Sequence, residues 1–409
     1  MNVKFPGGAK SIFAFFILIH FFSCKKAQVE ASNSVDNIKI TTLETYGDSN
    51  TVGYALESPL TQAWPQLLGA KENLNVNNQA VSSSGCQVDF YQFLANAQYP
   101  NKNVLRVSQI GFNDLRYATL ETVPPPRNQP QDVTIVNKVI AFTRTMLAYH
   151  FLKSGADASG VIKNPLITLS TSGTWGATPE NPNTLLSLCP KMQPNTTRIF
   201  NGPHPLFSKQ ANSSLTWHFN NTNEDMAIGY LCTSDITKSG TIQVYLNGNL
   251  YKTINTNYSS PRIDIGWYRT IDYTLSPDCI IIPSAKTAGG NTVMIKLISG
   301  EVRLDYAGIL QNSPDSVPPF ILNTAIHMPT YQYINDYTTQ DAIDNMNLNI
   351  EKLAREWINY PVSIGLTNNY YNPNDPAQVQ ADGIHMTALG QSNMVNADVT
   401  VVEPLIKRQ

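Results

Sequence analysis

Tyr46-Gly47-Asp48-Ser49-Asn50-Thr51-Val52-Gly53 is the stretch on which the reading of this chain turns. An extended run, residues 38–46, leads into it, and a helix-like run follows through Tyr54, Leu56, Trp64, Leu67 and Leu68. Ser49 is therefore expected on a sharp turn between the C-terminal end of a strand and the start of a helix. Such a turn exposes a hydroxyl and brings unpaired backbone N–H groups close to any oxygen reacting there. Gly47 and Gly53 permit the tight backbone. A Gly-Asp-Ser tripeptide is by itself most often a plain turn, so its meaning depends on the rest of the chain.

Working outward, strand and helix signals alternate. Residues 74–76 start a second short strand, which runs into the small-residue loop Asn78-Gln79-Ala80-Val81-Ser82-Ser83-Ser84-Gly85. Apolar spacing predicts a helix over 88–97. A buried strand over 104–110 ends in Gly111-Phe112-Asn113-Asp114. After a Pro-rich loop, residues 131–153 carry helical periodicity through Val136, Val139, Ile140, Phe142, Met146, Leu147 and Phe151. This alternation predicts an α/β domain with a parallel sheet.

The pattern changes near Pro165. From there to about Gln311, short strands alternate with turns, and no long helical pattern appears. Asn247-Gly248 between two alternating runs is a hairpin signal, and Ser299-Gly300 reads as a second one. Residues 215–219 and 226–231 read as further strands. The block is expected to be a jelly-roll-like β-sandwich. The α/β signal then returns with an apolar strand over 320–326, an amphipathic helix over 339–358, a short strand over 362–366 and a last helix after Asp382-Gly383-Ile384-His385. The β block is thus an insertion in a discontinuous α/β domain.

Ester hydrolysis by a serine needs a base to take its proton, an acid to orient that base, and donors for the oxyanion. The chain offers Ser49 as nucleophile and His385 as base. Asp382, three residues before His385, can reach the imidazole from a turn. Asn113, at the end of another strand, can supply a side-chain N–H, and Gly85 or a neighbour in its loop can supply a backbone N–H. This set resembles the SGNH, or GDSL, hydrolase family. Gly47-Asp48-Ser49 resembles its first block, the Gly85 loop its second, Gly111-Phe112-Asn113-Asp114 its third, and Asp382-Gly383-Ile384-His385 its fifth. Gln62-Ala63-Trp64-Pro65 is similar to the family as well. The resemblance covers roughly residues 38–164 and 313–409. It implies an SGNH (flavodoxin-like) three-layer parallel-sheet domain, with catalytic Ser49, His385 and Asp382, and an oxyanion hole from Ser49, Gly85 and Asn113. It implies no metal and no organic cofactor. The strand before Ser49 departs from the family in carrying Glu44 and Thr45, and the second block departs in its three consecutive serines, so that Ser83 or Ser84 are alternatives to Gly85.

The remaining histidines read differently. His20 lies in the N-terminal segment, His150 late in a helix, and His204 and His218 in the β block, while His327 ends a strand at the expected site edge. Trp175, Trp217, Trp267 and Tyr268 of the β block could stack on sugar rings or fill its core.

Composition narrows the setting. At 409 residues with 42% hydrophobic residues, the chain can bury more than one core. Only 14% of residues are charged and the formal net charge is −2, which gives no electrostatic reason to expect nucleic acid. The N-terminus reads as an address. Lys4 and Lys10 precede an apolar run over 12–22, too short to span a membrane comfortably, followed by Ser23-Cys24-Lys25-Lys26. This resembles a bacterial lipoprotein signal, with lipidation at Cys24. The expected divisions are a signal over 1–24, a tether over 25–37, the hydrolase domain over 38–164 and 313–409, and the inserted sandwich over 165–312. Cys86, Cys189, Cys232 and Cys279 remain, allowing three disulfide pairings or buried thiols, with no zinc spacing.

The expected function is a serine esterase of the cell envelope, exported and held at the membrane through a lipid anchor only. Its expected substrate is an O-acyl ester, acetyl first, on a carbohydrate or another small ester. A carbohydrate-binding surface protein and a sugar O-acyltransferase on the same scaffold are the alternatives. Mass spectrometry of the exported protein is expected to find the acyl mass at Cys24, and Cys24→Ser to leave an unprocessed or released protein. Cleavage elsewhere with no acyl mass at Cys24 would refute the anchor.

Overall fold

The computed structural model describes residues 39–96, 103–117, 131–152, 167–177, 206–219, 224–233, 236–257, 276–284, 290–311, 317–330 and 340–406. Cys24, Cys189, Trp267, Tyr268, and the expected signal and tether lie outside them. The chain begins with β1 (Thr42–Gly47), followed by three short helices, α1 (Ser49–Val52), α2 (Pro59–Gln62) and α3 (Trp64–Glu72). One continuous helix was expected here. Gly53 ends the first piece in a left-handed conformation, Pro59 restarts the second and Pro65 the third, since proline suits only a helix's first turn. β2 (Asn75–Asn78), α4 (Cys86–Asn96), β3 (Val104–Gln109), α5 (Phe112–Tyr117) and α6 (Gln131–Phe151) follow.

The next segment is all β, with β4 (Ile167–Ser172), β5 (Gly176–Ala177), β6 (Leu206–Ser208), β7 (Ser214–Phe219), β8 (Met226–Cys232), β9 (Gly240–Leu246), β10 (Asn249–Asn255), β11 (Ser276–Ile282), β12 (Asn291–Gly300) and β13 (Val302–Ile309). Then come β14 (Phe320–Asn323), α7 (Gln340–Glu356), β15 (Val362–Gly365) and α8 (Ala388–Ile406). Among the described residues no helix is long and apolar enough to cross a membrane.

The fold is mixed α/β. A five-stranded sheet, in the order β15-β14-β3-β1-β2, has every described pairing parallel. β3 and β14 are buried along their whole length, as parallel strands covered by helices must be. α4, α6 and α7 pack on one another as one group, and α3 packs with α8 as another. The chain order reverses between β1 and β3, the point where open parallel sheets leave a crevice beyond their strand ends. Ser49 follows β1 and Asn113 follows β3.

Two five-stranded antiparallel sheets, β10-β9-β12-β7-β4 and β11-β8-β13-β6-β5, share a second core built from Trp217, Phe219, Ile228, Val244, Val293, Ile295 and Leu304. Trp217 is therefore a core residue, and Trp175 packs against the same core with its indole N–H donating to backbone oxygens. The hairpin β9–β10 turns at Asn247-Gly248, both at positive φ, as its sequence requires. The second expected hairpin is not one. β12 pairs with β7 and β9, whereas β13 pairs with β6 and β8, so the Ser299-Gly300 turn carries the chain from one sheet to the other.

The outer side of the second sheet lies on α6. Ala227, Leu231, Cys279 and Tyr306 belong to the core of the parallel-sheet layer, and Arg144 of α6 bridges Asp278 at 3.0 Å and Glu356 at 3.1 Å. The chain leaves this layer at the end of α6 and returns just before β14. Leu152 bridges Leu310, and the Gln311 N–H donates to Phe151 O at 2.7 Å. That point is the N-terminal edge of the parallel strands, opposite the edge that carries Ser49.

One set of polar residues inside the parallel layer is paired across strands and helix. Glu44 accepts from Arg106 Nε at 2.8 Å and also contacts the Tyr46 hydroxyl. Arg106 meets His150 Nδ1 at 2.8 Å, and His150 Nε2 lies 2.8 Å from Pro318 O. Burial, and then Arg106, push His150 well below its ordinary value, so the ring is neutral and donates from Nε2 to Pro318. Asp398 of α8 differs. It is fully buried beside Asn323, and burial raises its carboxyl to about 7 while Asn323 works the other way.

A carboxyl raised in the folded state contributes stability that is present below the unfolded value near 3.9 and lost as pH rises toward 7. Asp398→Asn is therefore expected to raise unfolding free energy by about 2–4 kcal/mol at pH 8 and by little at pH 4. Urea titrations at the two pH values check this.

Candidate active site

The Ser49 turn is built by three local devices. Gly47, at φ 155°, leaves no room for a side chain, since a Cβ there would lie 2.3 Å from Thr51 Oγ1 and 2.8 Å from Gln109 O. Asp48 is the N-cap of α1 and accepts from the Asn50 N–H at 2.8 Å. Thr51 ties the turn to β3 through Gln109, at 3.1 Å, and to β2 through Asn78, which donates to its carbonyl at 2.8 Å. The Ser49 N–H makes no hydrogen bond among the described residues.

Asp382 and His385 sit on a turn closed by Gln380 N–H to His385 O at 2.8 Å and by a bridge between Val379 and Met386. One Asp382 oxygen accepts from the Ile384 and His385 N–H groups at 2.9 and 3.0 Å. This fixes the carboxylate so that its other oxygen meets His385 Nδ1 at 2.5 Å. Partial burial opposes the charge, but the His385 side chain and those two N–H groups hold Asp382 below the usual carboxylate range. His385 Nε2 lies 2.9 Å from Ser49 Oγ. Asp382, His385 and Ser49 thus form one hydrogen-bonded line, in which Nδ1–H donates to the carboxylate and Nε2 is left to accept the serine proton.

Asn113 stands in the first turn of α5, buried, and donates from Nδ2 to Ser84 O at 2.9 Å. An amide has two such hydrogens, and the second has no partner among the described residues. The Ser84 loop lies against the Ser49 turn, because Val81 N–H and the Ser84 hydroxyl both donate to Gly47 O, at 2.9 and 3.0 Å. Gly85 is buried, and a Cβ on it would lie 2.8 Å from the Asp114 carboxylate, which accepts from the Cys86 N–H at 2.9 Å. Ser83 is only partly buried and adopts φ 62°, a left-handed backbone uncommon outside glycine. The structure therefore brings Ser49, Asn113, Asp382, His385 and the Gly85 loop to one strand edge. Cys86, Cys232 and Cys279 are buried free thiols.

Three neighbours escaped the sequence reading. Asn50 accepts from the Met386 N–H at 3.2 Å through its side chain, and its carbonyl accepts from Gln391 Nε2 at 2.9 Å. Gln391 also accepts from the Trp64 N–H at 2.8 Å. These two amides stitch the histidine turn to the serine turn. Tyr54, half exposed, places its ring 4.6 Å from the His385 ring. No local pattern marks them, since the Asn50 contacts join residues 336 and 341 positions apart. His327 pairs instead with Asp344, at 2.8 Å. Among the described residues there is no group of three or more His, Cys, Asp or Glu placed to hold a metal.

No protein-family model matches the chain, and no curated protein matches it. Solved structures show slight likeness to esterases and carbohydrate-active proteins. A family GH115 4-O-methyl-α-glucuronidase with specificity for decorated arabinogalactans is similar at TM-score 0.22 and 15% identity, over 27% of this chain and 15% of that one. A two-domain esterase active on acetylated mannans is similar at TM-score 0.30 and 8% identity, over 68% of this chain and 92% of that one. The porcine torovirus hemagglutinin-esterase is similar at TM-score 0.35 and 11% identity, over 88% of this chain and 87% of that one. The chain thus spans about 15% of the length of the first of these. Likeness at this level fixes neither fold family nor activity.

Gln391→Leu would leave the buried Trp64 N–H and Asn50 carbonyl unpaired. Each orphaned group costs roughly 1–3 kcal/mol, so the variant is expected to lose about 2–4 kcal/mol of stability in urea unfolding.

Proposed function

We propose that the chain is a serine esterase of the SGNH type, acting on O-acyl esters. The observation that carries this reading is the line from Asp382 through His385 to Ser49, at 2.5 and 2.9 Å. Ser49 Oγ attacks the acyl carbonyl while His385 takes its proton, and Asp382 holds the imidazole in the required tautomer. The oxyanion is received by the Ser49 N–H, the second Asn113 amide hydrogen and one N–H of the second-block loop. For that last donor we assign Ser83 in preference to Gly85. Ser83 is partly exposed in a left-handed turn, whereas Gly85 is packed under Asp114. His385 then gives its proton to the leaving alcohol oxygen. Water, deprotonated by His385, releases the carboxylic acid and regenerates Ser49. No step calls on a metal or organic cofactor.

For the substrate we propose a short acyl group, acetyl first, on a carbohydrate alcohol. The leaving oxygen must come within reach of His385 Nε2, so the body of the alcohol falls beside Tyr54. A half-exposed aromatic ring there suits the C–H face of a sugar. We also propose the five divisions set out from the sequence, with 38–164 and 313–409 as the hydrolase domain, 165–312 as a jelly-roll insertion, and export through the signal over 1–24, with cleavage before Cys24 and the lipid carried on that retained cysteine.

A serine-directed fluorophosphonate probe is expected to label the wild type at Ser49, with Ser49→Ala unlabelled. Turnover of 4-nitrophenyl acetate should fall roughly 10³-fold or more in Ser49→Ala and His385→Ala, and about 10²–10³-fold in Asn113→Ala. Wild-type turnover by purified Ser49→Ala would sink the mechanism. Equal kcat/KM for an acetylated oligosaccharide in wild type and Tyr54→Ala would remove the sugar assignment alone.

A further inference from the structure

Beneath the two loops that frame the site lies an acid that the mechanism above does not use. Asp89, on the first turns of α4, is 1% exposed and faces Ser84, itself 2% exposed. Ser84 Oγ stands 3.0 Å from Gly47 O and 3.1 Å from Asp89 Oδ1. A serine hydroxyl has one proton. If Asp89 were ionised, the Ser84 proton could serve only one of the two oxygens; the Gly47 N–H would still favour the carboxylate, but its buried Oδ2 would stay without a partner among the described residues, a costly state. If Asp89 carries a proton, both short contacts are satisfied. Asp89 donates to Ser84 Oγ, and Ser84 donates to Gly47 O.

We propose that Asp89 is a positioning residue that works as a neutral carboxylic acid, locking the second-block loop to the Ser49 turn through Ser84. This rests on the esterase reading only in its consequence for catalysis. The relay fixes both sides of the site at once. Gly47 immediately precedes the Asp48-Ser49 turn, and its carbonyl is held by Ser84 Oγ and the Val81 N–H. Ser84 O, on the same residue as the bridging hydroxyl, receives the Asn113 side chain. Loss of the relay frees the loop relative to Ser49, and a small displacement of oxyanion donors is expensive in rate.

The surroundings favour the protonated form. Burial, and then the nearby Asp48, push the Asp89 carboxyl well above its ordinary value, with Asp114 adding to them; the Ser84 hydroxyl and the Gly47 N–H offset this only in part. The cation nearby, Lys138 of α6, is lowered to about 8 by burial and interacts with Cys86 and Asp114. Asparagine is the natural mimic of a neutral Asp89, because it can donate to Ser84 Oγ and cannot ionise.

The full chain is tested as wild type, Asp89→Asn, Asp89→Ala and Ser84→Ala. With 4-nitrophenyl acetate, Asp89→Asn is expected within about 3-fold of wild type, while Asp89→Ala and Ser84→Ala lose about 30-fold or more in kcat with KM changed less than about 3-fold. Should Asp89→Ala fail to fold, Asp89→Asn and Ser84→Ala still decide. Melting temperatures supply a readout independent of activity. A raised carboxyl loses its stabilising contribution as pH rises, so the advantage of Asp89→Asn over wild type should grow from pH 5 to pH 8. A kcat for Asp89→Asn as low as that of Asp89→Ala, a fully active Ser84→Ala, or a flat melting difference would overturn the proposal. A wild type that turns over no ester would remove the esterase reading and leave the melting comparison to decide on Asp89.

Discussion

Parallel pairing of β1 with β3 is the constraint on which the rest depends. Its register sets Gly47 opposite Gln109, so the two strands end together and their turns emerge side by side. Ser49 and Asn113 are neighbours for that reason alone. The reversal of chain order at this pair opens the crevice between them. Gly47 then makes the serine turn possible by lacking the atom that would strike Thr51 and Gln109. The histidine turn arrives from the far end of the chain and is held by Asn50 and Gln391, whose hydrogen bonds end on the serine turn itself. A movement of either turn therefore breaks bonds made by the other.

The layer below is rich in polar groups that an apolar core would not need. Glu44, Arg106 and His150 form a paired set, with the ring kept neutral by burial and by Arg106. Removing one member would strand the others, which is costlier than the set is stabilising. Asp398 has no cation beside it among the described residues and meets the same burial with a raised carboxyl. Asp89 has the same chemistry but stands under the site. Two buried acids in one sheet layer thus answer desolvation in the same way, and the two sites differ in whether the proton has a useful acceptor.

Features set by local chemistry were legible in the sequence. The Asp382 to His385 spacing works because one carboxylate oxygen caps the intervening N–H groups and aims the other at the ring. The Asn247-Gly248 hairpin is legible because both residues accept positive φ. The central strands β3 and β14 showed as apolar runs because both of their faces are covered. Features set by distant pairing were not legible. Alternation along 292–306 looks the same whether the two halves pair with each other or join opposite sheets, and here they join opposite sheets. Asn50, Gln391 and Asp89 are ordinary polar residues in sequence, and only their partners give them roles. Glu44, which departs from an apolar strand pattern, is explained by Arg106 from the neighbouring strand.

The place where the β segment joins has consequences for how the molecule handles a large substrate. Had its ends met the C-terminal edge of the parallel strands, the antiparallel sheets would have formed a wall of the crevice. They meet the opposite edge, at Leu152 and Leu310, and the second sheet lies along α6. Its contacts there are those of a shared core: the Tyr149 and Tyr306 rings meet tilted at 4.8 Å, and Arg144 joins α6 to both β11 and α7. A hinge is incompatible with that burial, because opening it would expose Ala227, Leu231, Cys279 and Tyr306 at about 25 cal/mol per Å² of apolar surface. The antiparallel segment is therefore packed as a buttress of α6. On the proposed esterase reading, selection of the alcohol falls to the rim of the crevice, where Tyr54 stands against His385.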